Sequence, residues 1–312
     1  MRRWHRAWRV TALAVGLAIL AGAAVLMVIG LREPLIWSTD AWPGGYLHDG
    51  SVLLQPPFPA FSNMNVFDIN LTTHTQHYYL LGSDDGGRDL LALTARGAVP
   101  SLELVGLVVA ARFVLGAVAG LAMGTGGRLT REIGRAVGGV LLGFPYLALA
   151  VVAIQAVVPR GRWIAFIVAM ALIGWRDIAE LVVERIEYVN MQTFAMASTA
   201  LGTGPLTFFR LHVVPFLRPA LGVELPFQVS AVLVLLAELG YLRVYLGQPL
   251  RLEGGPTLIT HPELGQLLSR ARDEILYRQL GPALVPALAI FVVALGFELI
   301  GTAVRGRTRL GV

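Results

Sequence analysis

The side chains that could carry chemistry in this 312-residue chain are few, and their spacing argues against an enzyme. His212, Glu224, Glu238 and Glu298 could line a cavity within apolar sequence, yet no nucleophile or paired-ligand spacing accompanies them. His74 and His77 are spaced as two metal ligands could be, but their Asn, Thr and Gln neighbours supply no third ligand. That pair reads as surface loop, and no metal site is expected. Arg112 lies inside a long apolar stretch, where a cation must face a partner helix, water or a snorkelling route. Two roles stay open for it, lining a solute pathway or pairing structurally, and Glu238 shares the pathway reading.

Composition removes further classes. Cysteine is absent, so disulfides, thiolate metal sites and cysteine nucleophiles are excluded. All 25 basic residues are arginines. Without lysine there is no Walker A phosphate loop and no Schiff base, so the chain is not expected to hydrolyse ATP. With 55% hydrophobic and 14% charged residues and a mean hydropathy of +0.67, it reads as an all-α, polytopic integral membrane protein.

The elements that must position these residues are apolar stretches at 10–31, 102–123, 137–158, 163–174, 220–240 and 282–304, about six transmembrane helices. The first is longer than a usual signal-peptide core, which favours an anchor over cleavage near residues 21–24. The fourth is short and is expected to continue as an amphipathic helix. Pro145 and Pro226 are expected to kink their spans. The chain thus divides into a cytoplasmic N-terminus with the first span (1–31), an extracytoplasmic loop (32–100) and a core of five further spans (101–312). Within the core, 175–219 is a cytoplasmic loop and 241–281 an extracytoplasmic segment. Arg2, Arg3, Arg6 and Arg9 at one end and Arg305, Arg307 and Arg309 at the other hold both termini inside, as the distribution of arginine in membrane proteins favours. Asp40, Asp49, Asp68, Asp84, Asp85 and Asp89 suit the loop at 32–100 to the outer side, where Asn70-Leu71-Thr72 matches a glycosylation pattern that often arises by chance.

The loop at 175–219 is the most organised polar stretch. Asp177, Glu180, Glu184, Arg185 and Glu187 alternate with Ile178, Leu181, Val182 and Ile186 at helical spacing, which predicts a helix over 177–188 with one packed and one wet face. A second short helix over 195–201 must stop at Gly202-Thr203-Gly204-Pro205. Ala197, Ser198, Ala200 and Gly202 present little side chain, so another protein could approach the backbone closely. The stretch reads as a docking surface.

From Trp175 through Ala197, Ala200-Leu201-Gly202 and Arg210-Leu-His212-Val-Val-Pro215, the spacing resembles the cytoplasmic loop of permease subunits in binding-protein-dependent ABC importers of the dipeptide, oligopeptide and nickel group. Met196 stands where that family has an acidic residue, and Ser198 where it has a second alanine. Gly82-Ser-Asp84-Asp-Gly-Gly87-Arg88-Asp89 resembles the family's signature ahead of the second span, where Arg88 could close a compact loop with Asp84 and Asp89. Phe144-Pro145, Glu238-Leu-Gly240, Pro262-Glu-Leu-Gly265 with Leu264 in place of a tryptophan, and the 286–301 region are similar to further family segments.

The resemblance implies a type I ABC importer permease in the plasma (inner) membrane, forming half of a translocation pathway for peptides or peptide-like solutes. A cytoplasmic coupling helix would touch separate ATPase subunits through Met196, Ala197, Ser198, Thr199, Ala200, Leu201, Gly202, Thr203, Gly204, Pro205, Arg210 and Pro215. The implied partners are a second permease, one or two ATPase subunits carrying ATP and Mg, an extracytoplasmic solute-binding protein and membrane lipid, with no nucleic acid and no cofactor on this chain. The departures at Met196, Ser198 and Leu264 leave an alternative, a degenerate paralogue acting as an assembly or structural subunit.

Overall fold

A computed structural model describes residues 2–33, 46–48, 52–54, 57–67, 74–84, 87–143, 145–158, 161–247, 249–251, 257–259, 262–270, 275 and 280–308. Asp40, Asp49, Asp68, the sequon at Asn70, Asp85, Phe144, Arg160 and Arg309 lie outside the described residues. The chain forms two compact units, one of Met1–Leu17, Leu104–Val232 and Ala294–Val312, the other of Ala18–Glu103 and Leu233–Val293. The helices are α1 (Arg2–Arg32), α2 (Leu90–Thr125), α3 (Arg128–Leu142), α4 (Tyr146–Val157), α5 (Arg162–Asn190), α6 (Thr193–Ala200), α7 (Pro205–Phe208), α8 (Val214–Tyr241), α9 (Leu264–Ser269) and α10 (Leu280–Thr308). A π-helical turn, Phe209–Val213, joins α7 to α8.

In the first unit, glycines make the seam between α2 and α5. A Cβ on Gly116 would fall 2.5 Å from that of Ile178, and one on Gly120 would fall 2.6 Å from the Ala179 carbonyl oxygen. One on Gly124 would fall 2.6 Å from Cδ1 of Ile186. Recurring every fourth residue, the three glycines form one stripe along α2. The answering residues of α5, Ile178, Ala179, Val182 and Ile186, are all buried. Lipid gives apolar helices no reason to associate, so close van der Waals approach across small residues has to supply one. Helix α3 adds to this layer through Gly134 against Met123, Gly138 against Arg176, and an ion pair from Arg131 to Glu187 at 2.8 Å. Helix α4 packs on α5.

The second unit carries a four-stranded antiparallel sheet, ordered β2-β1-β3-β4, from β1 (Tyr46–His48), β2 (Val52–Leu54), β3 (Ser62–Phe67) and β4 (His74–Tyr79). Strands β3 and β4 pair from Ser62↔Tyr79 to Phe67↔His74, and Phe58, Met64 and Tyr79 form a small buried cluster. A second, two-stranded sheet pairs β5 (Pro249–Arg251) with β6 (Thr257–Ile259). The α1 C-terminal part lies on α2, where a Cβ on Gly30 would meet that of Ala95 at 2.6 Å.

Several sequence expectations are corrected. The loop expected to run to residue 100 ends at Asp89, because α2 begins at Leu90: the Asp89 side chain accepts the Ala92 N–H at 2.9 Å and caps the helix. Pro100 is then taken inside α2. The single span expected over 137–158 is two helices, since Gly143 closes α3 through its N–H to the Gly139 and Val140 carbonyls and Pro145 starts α4 without an N–H to continue the ladder. The fourth apolar stretch, by contrast, continues as expected into the amphipathic helix over 177–188, the two forming α5, one uninterrupted rod of 29 residues. Pro215 and Pro219, expected at the end of a loop, are inside or beside α8, which the π turn leads into with Val214 N–H reaching the Phe209 carbonyl. Among the described residues, four helices are long and apolar enough to cross a bilayer, at Trp8–Arg32, Leu90–Thr125, Phe209–Tyr241 and Leu280–Arg305. The apolar Tyr146–Val157 is shorter, and charges from Arg176 onward interrupt α5, so these two fall outside that length and composition criterion, which leaves the expected six untested. The sheet, built from strands of three to six residues, was not expected in an all-α chain.

The glycine seam predicts a large asymmetry between substitutions in one helix. Gly120→Ile is expected to lose about 3 kcal/mol by overpacking. Gly106→Ile, with nothing within 4 Å of its added Cβ, is expected to change stability by less than about 0.5 kcal/mol. Thermal unfolding of the two purified variants in detergent checks this, and equal midpoints would contradict the seam.

Candidate functional site

Helix α6 is a short exposed projection with a firm base. Ala195 is buried among Val182, Ile186, Val189, Val213 and Leu217, which ties α6 to α5, the π turn and α8. Above it Phe194 stacks on Phe216 with ring centroids 6.2 Å apart and planes 8° apart, and Tyr188 lies 5.9 Å from Phe216. The His212 ring fits between Phe194 and Phe208 at 5.5 and 5.2 Å.

The far end of α6 is closed by backbone geometry. Leu201 N–H bonds to the Ala197 carbonyl at 3.1 Å and Thr203 N–H to the Ser198 carbonyl at 3.2 Å, with Gly202 between them at φ +79°. This six-to-one closure around a left-handed residue is a Schellman motif, and glycine occupies that backbone region without a Cβ penalty. Ser198 adds a side-chain clasp, its hydroxyl donating to Thr203 Oγ1 at 2.9 Å and lying 3.1 Å from His212 Nε2. With its proton directed at Thr203, the Ser198 oxygen is left to accept from the imidazole.

Of the residues assigned to a docking surface, Met196 and Leu201 are exposed to 58% and 87%, and Ala197, Ala200, Gly202 and Gly204 are exposed beside them. Thr199 is in α6 and Pro205 opens α7. Ser198 and Thr203 are half-buried in the clasp, while Arg210 on the π turn and Pro215 in α8 are exposed. The projecting tip is therefore apolar and small, without a charge. His212 is the residue whose role the sequence did not indicate, since a lone histidine gives no spacing signal.

The turn at 82–89 is built around Asp84. Its Oδ1 accepts Arg88 N–H at 2.8 Å, its Oδ2 accepts Arg88 Nε at 2.8 Å, and the Arg88 Nη2 also bonds Oδ2. Backbone bonds Asp84 N–H to Arg88 O and Leu90 N–H to Gly82 O, both 3.0 Å, complete it, with Gly82 at φ +85° and Gly87 at +77°. Asp89 was expected to share Arg88, but it bonds His77 Nε2 at 3.1 Å through Oδ2 while Oδ1 caps α2. His77, expected on a surface loop, is thus buried, and Tyr79 OH donates to the Gly87 carbonyl at 2.8 Å. Among the described residues, no group of three His, Asp or Glu side chains could hold a metal ion.

Arg112 is 4% exposed and engaged by two helices: Nε donates to the Met170 carbonyl at 3.0 Å and Nη1 to Gln228 Oε1 at 2.9 Å. Gly174 leaves the space, since a Cβ there would collide with the guanidinium. Gln228 Nε2 in turn donates to Glu224 at 3.2 Å, whose other oxygen lies 3.8 Å from Arg305 Nη2. Arg305 also lies over the Phe227 ring at 4.3 Å. Of the four residues considered for a cavity, Glu224 belongs to this chain of contacts, His212 to the α6 clasp, and Glu298 is exposed. Glu238 is half-buried in the part of α8 that belongs to the other unit.

No protein-family model matches the chain. It is similar to the glutathione transport system permease protein GsiD of Escherichia coli, 30% identical over 263 residues that cover 80% of this chain and 77% of that one. The peptide transport system permease protein SapC of Escherichia coli is 26% identical over 315 residues, 99% of this chain and 93% of the relative. The oligopeptide transport system permease protein OppC of Bacillus subtilis is 27% identical over 190 residues, and there the match spans 61% of each chain.

The Arg112 pairing yields a double-mutant test. Gln228→Leu strands a buried guanidinium nitrogen and is expected to cost about 2 kcal/mol, whereas Arg112→Met with Gln228→Leu is expected to recover most of that loss. Thermal unfolding of the three variants against the parent chain measures the coupling, and strictly additive losses would refute the pairing.

Proposed function

This chain belongs to the permease proteins of peptide and glutathione ABC transport systems, and from that premise we propose that it forms half of the translocation pathway of an ATP-driven importer of peptide-like solutes. It is a multi-pass membrane protein. In this reading it pairs with a second permease, receives solute from an extracytoplasmic binding protein, and is driven by separate ATPase subunits that carry the ATP and Mg. It contributes no ATPase site and no bound cofactor of its own. Both termini lie on the cytoplasmic side of the inner membrane, in keeping with the arginines at each end of the chain.

The observation that supports this best is the form of α6. A docking element that transmits force needs an exposed contact face and a base that does not yield. Met196, Ala197, Ala200 and Leu201 supply the first, and Ala195 with the Ser198–His212 contact supplies the second. Closure of the ATPases on this tip would bias a two-state rocking of the permease halves. Gly82, Asp84, Gly87, Arg88 and Asp89 have a structural part in this scheme, fixing the start of α2. Nothing in the relatives favours the assembly-only subunit.

Placing Trp at Gly202 enlarges the contact face at a position where the backbone also disfavours any side chain. In the reconstituted complex, Gly202→Trp is expected to lower ATP-dependent solute uptake at least about tenfold while ATP hydrolysis continues. Uptake and hydrolysis at parental levels would remove α6 from the mechanism. Because the chain has no cysteine, a single Thr199→Cys variant can be labelled without background. Modification by an impermeant maleimide from the cytoplasmic side alone is expected, and labelling from the opposite side would invert the orientation.

A further inference from the structure

In the second unit, α9 carries a polar side chain that the mechanism above does not use. Gln266 stands among Leu264, Leu267 and Leu268 with 2% of its surface exposed, and among the described residues neither its Oε1 nor its Nε2 has a hydrogen-bond partner. A primary amide placed so gives up its hydrogen bonds to water on both the donor and the acceptor side. Leucine would fill a similar volume in this helix without that loss. A buried amide with nothing to bond in one state is accounted for if another state supplies its partner.

The tip of the Gln266 side chain meets main chain. A Cβ on Gly247 would fall 2.5 Å from Gln266 Oε1, so the amide tip lies against the Gly247 backbone. One residue earlier, Gly265 meets Gly240 of α8, where an added Cβ would be 2.5 Å from the Gly265 carbonyl oxygen. On the other side Gly97 of α2 abuts the Leu264 nitrogen, 3.3 Å from where its Cβ would be, and Leu264 N–H bonds Ser101 Oγ at 3.0 Å. Helix α9 is therefore seated between α2 and α8 on glycine contacts. No interlocked side chains need to disengage where Gly240 faces Gly265, and the amide itself is covered by Gly247, beyond the end of α8, so a small displacement of α9 from both glycines uncovers it.

We propose that Gln266 is a specificity-determining residue for the transported solute, which pairs with a peptide group when α9 parts from Gly240 and Gly247. Its Oε1 accepts from the peptide N–H and its Nε2 donates to the peptide carbonyl, a complementarity that an ester linkage satisfies on one side only. The neutral amide selects an uncharged linkage and leaves solute termini to other groups. This inference rests on the peptide-import reading above.

Two measurements test it. In proteoliposomes holding the whole transport complex, uptake of radiolabelled trialanine is compared with uptake of the two analogues in which an ester replaces one or the other of its two amides. The parent complex is expected to favour trialanine over at least one analogue by about tenfold in kcat/KM, one hydrogen bond's discrimination, and Gln266→Leu to lose that preference. Separately, Gln266→Leu is expected to raise the midpoint of thermal unfolding of the purified chain, since it removes an amide that is unpaired at rest. A preference that persists in the variant, or a lowered unfolding midpoint, overturns the role of Gln266 while leaving peptide import standing. A parent complex that takes up none of these compounds, beside a binding protein shown to hold trialanine, overturns the peptide reading itself and this inference with it.

Discussion

Close approach of α2 and α5 along Gly116, Gly120 and Gly124 is the constraint on which the first unit depends. Water drives apolar surfaces together in a soluble protein, but lipid does not distinguish a leucine on a neighbouring helix from its own chains. Association then falls to dispersion, which needs backbones near one another, and to polar groups with nowhere else to bond. Both occur on the same helix pair: the glycine stripe brings the main chains together, and Arg112, farther along α2, bonds the Met170 carbonyl of α5. The arginine is tolerated because Gly174 makes room for it and Gln228 answers it.

The same economy of small residues governs how α6 is held. Helix α5 is one rod as far as Asn190, and only Met191 and Gln192 separate it from α6. A displacement of α6 is thus delivered through a two-residue link and a buried Ala195 to a helix that is itself keyed into α2. On its other side, the Ser198–His212 contact connects α6 to the π turn at the head of α8. Single-turn π segments are often found at functional positions, and here the widened turn precedes Pro215, whose missing N–H a regular ladder would have had to accommodate.

Composition and the length of apolar runs were enough to read a helical membrane protein, and the Gly202 break was legible because only a few residue types end a helix that way. The turn at 82–89 was readable in part: Arg88 does hold Asp84, but Asp89 is claimed by His77 from a strand that nothing in the sequence pattern announced. Those strands are short, and their stability comes from pairing with one another, which periodicity over a few residues does not report. The helix boundaries failed for a related reason. Pro100 and Pro219 were read as limits, although a helix whose neighbours hold it can absorb a lost hydrogen bond, while Pro145, close after Gly143, separates two helices. Ser198, read as a mere departure from a family pattern, is the hinge pin of the α6 clasp, a role visible only once His212 is beside it.

Helix α2 is 36 residues long, and at 1.5 Å of rise per residue that is about 54 Å. The oily layer of a membrane is about 30 Å thick, and spanning helices lean by no more than about 40°. Leaning to that limit still leaves about 40 Å of vertical height, so α2 overhangs. The polar end of the helix is its N-terminal one, where Arg96 lies and where Asp89, just before Leu90, joins the Asp84–Arg88 and His77–Asp89 pairs. Through His77 on Asp89, which caps α2, the small sheet is tied to the first turn of the longest helix in its unit.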